Sequence, residues 1–122
     1  MQLTEQQIQD NYKDLRTIIN NTFSGDRLEN LNQMYDYFEE RMVLAPASGK
    51  EHFHNCHVGG YVEHVLHITL LSLQIKDLWE KNDATIDFTE EELVFSALHH
   101  DLGKVGDLAA VSYTHLRAHE TP

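Results

Sequence analysis

A second cysteine is missing. Cys56 is the only one in 122 residues, so no intramolecular disulfide can form, and a reducing, cytoplasmic setting is the expectation. Cations are scarce too. Nine Lys and Arg stand against twenty Asp and Glu, a formal net charge of -11. Such a chain repels polyanions, which argues against an extended nucleic-acid-binding face. It leaves room for a small phosphorylated ligand at a locally positive site, above all one that holds a cation. No apolar run nears the ~18 residues of a membrane span, so no membrane partner is expected. The opening "MQLTEQQIQDNYKDL" has neither the basic start nor the apolar stretch of a signal peptide. No alternating strand pattern and no internal repeat competes with the helical periodicity.

What is present is enough for one domain with one core, given the length and the 41% hydrophobic content. Thr4-Glu5-Gln6-Gln7 reads as a capping box, followed at helical spacing by Ile8, Tyr12, Leu15 and Ile19. Ser24-Gly25-Asp26 breaks that helix and caps a second, whose apolar face is Leu28, Leu31, Tyr35, Phe38 and Met42. Ala45 to Glu51, with Pro46 and Gly49, reads as a loop. After Gly59-Gly60 comes "YVEHVLHITLLSLQIKDLW", too densely apolar for a surface helix and therefore placed centrally in a bundle. An acidic connection from Lys81 to Phe88 leads to a second capping box, Thr89-Glu90-Glu91-Glu92. The helix it opens runs through Leu93, Val94, Ala97 and Leu98. The fold class is all-α, a bundle of at least four helices.

Histidine is the outlier. There are nine, five of them between His52 and His67 and two more at His99-His100. His64 falls in the central helix, and His100-Asp101 at the end of a later one. Helix bundles build metal sites by aiming such residues from facing helices at one point. Two imidazoles and a carboxylate suit a divalent ion: Mn, Fe, Co, Ni or Zn, and Mg less well. Asp101 and Lys104 have the i,i+3 spacing of one helical side, and Gly103 leaves room for a ligand near the backbone. The alternatives on residues alone are histidines that only form hydrogen bonds, or a non-catalytic nucleotide-binding or regulatory module. His99 reads as a neighbour of the site rather than a ligand, and His67 as a packing residue. His52 and His54 read as solvated, and the i,i+4 pair His115 and His119 as accidental.

"HVGGYVEHVLHI" followed by "SALHHDLGKVGD" resembles the HD-domain superfamily of metal-dependent phosphohydrolases. The resemblance covers roughly Phe53 to Asp107. It implies a helical bundle in which His64, His100 and Asp101 are metal ligands and Lys104 is the phosphate-binding lysine. It also implies catalysis by Asp101 and Lys104, through a metal-activated water, on a nucleotide or other phosphoester. His57 matches a further histidine found in part of the family, an additional metal or substrate contact; with it a second metal becomes possible, bridged by Asp101. Gly59-Gly60 before a helix could present backbone N–H groups to phosphate.

The resemblance implies a fourth ligand as well, an aspartate on a later helix, and no residue up to Pro122 matches it. Weak, easily chelated metal binding and little or no turnover are therefore expected of these 122 residues. On this reading 1–44 is a helical pair packed on the core, and 45–108 is a partial HD domain. The stretch 109–122, within "LAAVSYTHLRAHETP", resembles translated sequencing-adapter sequence and is expected to be non-native. Deleting it is then expected to change the melting temperature little; a large fall would show it to be part of the fold.

Overall fold

The computed structural model describes residues 2–47, 57–82 and 85–105. His52, His54, Cys56, His115, His119 and the whole of 109–122 lie outside these residues. Among the described residues the chain is all-α. Helix α1 spans Glu5–Thr22, α2 Gly25–Leu44, α3 Gly60–Lys81 and α4 Glu90–His99, and a 3-10 turn follows at Leu102–Lys104.

Both capping boxes form. Thr4 Oγ1 accepts from the Gln7 N–H at 3.1 Å, and Gln7 Oε1 accepts from the Thr4 N–H at 2.8 Å. Thr89 Oγ1 accepts from the Glu92 N–H and Glu92 Oε1 from the Thr89 N–H, both at 3.1 Å. Each satisfies two backbone groups that a helix start otherwise leaves to water. The break between α1 and α2 works differently from expectation. Ser24 sits at the N-cap position, but its side chain makes no capping bond. The turn is made by Gly25, whose φ of +62° lies in the left-handed region that glycine enters without penalty.

One hydrophobic cluster joins all four helices. It includes Leu15 and Ile19 of α1, Leu31, Tyr35 and Met42 of α2, Val62 and Val65 of α3, Val94 and Leu98 of α4, and Val105 beyond the 3-10 turn. Residues from both sides of position 44 thus share one core. Arg16 links the first two helices from the edge of that core. Its guanidinium reaches Asp36 at 2.8 Å and donates to Asn32 Oδ1 at 3.0 Å and to the Tyr12 hydroxyl at 3.1 Å.

The central placement of α3 holds for only part of its length. Every fully buried residue of α3 lies between Gly60 and Thr69, while Leu70, Leu71, Ile75, Leu78 and Trp79 are exposed. The apolar density of the sequence reflects a buried first half and an apolar but exposed second half. No helix among the described residues is long and apolar enough to cross a membrane.

The entry to α3 is fixed by Gly59, at φ +81°. A Cβ there would lie 2.8 Å from Ile8 Cγ1 and 3.4 Å from Leu3 Cδ1, so the turn is pressed against α1 where no side chain fits. Gly59→Ala is expected to cost about 1–3 kcal/mol through left-handed backbone strain, with the clash added. Gly103→Ala, where a Cβ would meet nothing within 4 Å, serves as the control. Thermal melts of the two variants check this, and equal melting temperatures would contradict it.

Candidate metal centre

The turn before α3 aims His64. The Tyr61 N–H donates to the Ala45 carbonyl and the Gly60 N–H to the His57 carbonyl, both at 2.9 Å, and the Gly59 N–H reaches the Leu44 carbonyl at 3.4 Å. The bonds to Ala45 and Leu44 lock the start of α3 to the end of α2, and the bond to His57 closes the turn itself. They also correct one expectation. The N–H groups of Gly59 and Gly60 are taken by protein carbonyls and do not serve as a phosphate cradle. His64 follows one turn later, half-buried.

The facing residues come from the end of α4. The chain leaves the helix at His100 and closes a 3-10 turn, in which the Lys104 N–H donates to the Asp101 carbonyl at 2.9 Å. This sharp exit turns the His100 and Asp101 side chains toward α3. Potential ligand atoms of His64, His100 and Asp101 all lie within 4.8 Å of one another. Asp101 Oδ2 is 3.1 Å from His100 Nε2 and 3.8 Å from His64 Nε2. The two imidazole rings lie 5.8 Å apart, centroid to centroid.

His100 is oriented by its own helix. Its Nδ1 lies 2.8 Å from the Ala97 carbonyl oxygen. A carbonyl can only accept, so Nδ1 carries the proton. In the neutral ring Nε2 is then a bare lone pair facing the Asp101 carboxylate oxygen at 3.1 Å. Two acceptors do not rest at that distance unless a proton or a cation lies between them. Ligand atoms held about 2.0–2.2 Å from one ion stand roughly 3–3.6 Å apart; the 3.1 Å between His100 and Asp101 falls in that range, and the 3.8 Å between His64 and Asp101 lies just beyond it. A backbone carbonyl on the other ring nitrogen is also how metal-binding histidines are usually fixed in tautomer and direction. The residues present therefore fit a divalent cation.

Lys104 joins the same carboxylate. Its Nζ is 3.6 Å from Asp101 Oδ2 and donates to the Ala47 carbonyl at 3.2 Å. Its side chain is half exposed, and Gly103 beside it leaves open space. His57 is not in the three-residue cluster. Its Nε2 is 2.9 Å from Glu63 Oε1, a partner that the sequence reading missed. The only signal for Glu63 was its place beside His64 in the first turn of α3. His67, read as a packing residue, is exposed.

His99 points the other way, into the bundle. Its Nδ1–H donates to the Phe95 carbonyl at 2.7 Å, so its Nε2 accepts from the Tyr35 hydroxyl at 3.0 Å. Burial pushes the His99 imidazole below its ordinary pKa, and the bond to the Phe95 carbonyl offsets only part of that. The unfolded chain then takes up a proton before the folded one does. Stability linked to neutral His99 is fully present above about pH 6.5 and is lost as pH falls through the lowered value. An NMR titration of the His99 ring in chelator is expected to place its midpoint below 6.5, with melting temperature falling over the same range. A midpoint at or above the ordinary value would contradict the buried, neutral assignment. Comparison of the chain with protein-family models, curated proteins and solved structures gave no match.

Proposed function

We propose that the chain carries the metal centre of a metal-dependent phosphohydrolase of the HD-domain type, acting on a nucleotide or another small phosphoester. The observation that carries this reading is the convergence of His64, His100 and Asp101 from two helices, with His100 Nε2 3.1 Å from the Asp101 carboxylate oxygen. His64, His100 and Asp101 would hold the cation. A bound divalent ion supplies hydroxide at neutral pH and offsets charge on phosphoryl oxygens. The protein's own part follows from its geometry. Asp101 brings a negative charge between the two imidazoles. The half-exposed ammonium of Lys104 is placed to meet an anionic substrate beside Asp101. The site opens to solvent at His100 and Lys104, which suits a small soluble phosphoester.

The test is hydrolysis of p-nitrophenyl phosphate and of a nucleotide panel by metal-stripped protein resupplied with Mn or Co. Slow, chelator-sensitive turnover that disappears in Asp101→Ala is the expected result. Metal binding without turnover on any of these substrates, together with binding of a nucleotide from the panel, would favour a nucleotide-binding or regulatory module. Failure to bind metal at all would leave the histidines as hydrogen-bonding residues only.

A further inference from the structure

Tyr61 is the first large residue of α3 and is almost wholly buried. Its hydroxyl oxygen has no accessible surface, and among the described residues no acceptor takes its proton. A buried phenol normally finds a partner, because an unmet donor away from water is costly. Nearby hydroxyls do not share this defect. Tyr12 donates to the Tyr35 carbonyl at 3.3 Å, and the Tyr35 hydroxyl pairs with His99 at 3.0 Å.

Tyr61 stands three residues before His64, so the two share one side of α3. Asp101 flanks the same imidazole, its Oδ2 lying 3.8 Å from His64 Nε2. Burial, and after it the charge of the Asp101 carboxylate, push the Tyr61 phenol up to about 12, so the hydroxyl keeps its proton throughout the neutral range. Asp101 has the complementary deficit. Its contacts with His64, His100 and Lys104 all run to Oδ2. Among the described residues Oδ1 accepts no hydrogen bond, and each of these pairs is recorded at Oδ2. The carboxylate torsion is soft and nearly two-fold, so turning the group costs little.

We infer that Tyr61 is a positioning residue of the metal centre: its buried hydroxyl is the donor that takes the second oxygen of Asp101 when the first is engaged by a cation. This inference rests on the metal-centre reading proposed above and extends it to a residue that touches neither metal nor substrate. Carboxylates that bind metals are themselves held by hydrogen bonds, and losing such a bond typically costs 10–100-fold in metal affinity. A tyrosine kept only for packing would make no such difference, because phenylalanine fills the same space.

The experiment is a Co(II) titration of the wild-type chain and of Tyr61→Phe, read from the visible absorption of the bound ion, with thermal melts of both in chelator. The expected result is Co(II) affinity lower by about 10-fold or more, with the metal-free melting temperature unchanged or higher. Unchanged affinity overturns the inference and leaves the metal centre standing. A Tyr61→Phe protein that melts well below wild type also overturns it, since the hydroxyl would then be supporting the fold. A wild-type chain that shows no Co(II) spectrum at all overturns the metal centre itself, and the role of Tyr61 with it.

Discussion

Asp101→Ala is expected to lose Co(II) binding by at least the 10–100-fold seen when only outer support for a metal site is removed, while the metal-free protein melts close to wild type. Asp101 is the common partner of His64, His100 and Lys104, so its removal takes away the one carboxylate of the three-residue cluster. The small cost to folding follows from exposure. The Asp101 side chain is about a quarter exposed and its contacts with Lys104 and His100 reach solvent, where ion pairs contribute little. Asp101→Asn keeps the shape without the charge and is expected to lose affinity nearly as far. Co(II) titration and thermal melts together separate the alternatives. Wild-type affinity in Asp101→Ala would remove Asp101 from the site, and a collapse of the metal-free melting temperature would make it a structural residue.

What the sequence made legible was local or carried by a motif. The two capping boxes at Thr4 and Thr89 were readable because each satisfies its hydrogen bonds within four residues. The grouping of His64, His100, Asp101 and Lys104 was expected from the clustered histidines and from the resemblance carried by "GGYVEH" and "HHDLGK", and the first three of them do come together. The bonds that direct those side chains were not legible. That His100 donates through Nδ1 to Ala97, and so offers Nε2 outward, depends on how α4 ends. The pairing of His57 with Glu63 depends on the fold of the turn before α3. The unmet hydroxyl of Tyr61 depends on what surrounds it in the core. Apolar density also misplaced the second half of α3, for a reason of length. At 1.5 Å per residue the 22 residues of α3 run about 33 Å, whereas the ten of α4, with which it packs most extensively, run about 15 Å. An apolar pattern in a sequence carries no record of where the neighbouring helix stops.

That difference between the halves of α3 sets up the second large effect, which tests the core and the site together. Leu98 has no exposed surface and belongs to the same cluster as Val65 and Val94. Leu98→Ala is expected to destabilise the chain by about 2–5 kcal/mol, from lost burial and the cavity left behind. Against the roughly 5–15 kcal/mol that holds a typical domain together, this is enough to leave a substantial unfolded fraction. The consequence reaches the metal centre because Leu98 anchors the turn of α4 from which His100 and Asp101 project. Metal affinity is expected to fall with stability, and excess Co(II) should raise the melting temperature of the variant by mass action. Leu78→Ala is the matched substitution on the outer half of α3, where the side chain is 58% exposed. It is expected to change stability by no more than about 0.5 kcal/mol, and alanine is the better helix former. Urea denaturation of the two variants gives the comparison directly. A loss in Leu78→Ala as large as that in Leu98→Ala would mean that the outer half of α3 is covered in solution, and that the core extends further along α3 than Thr69.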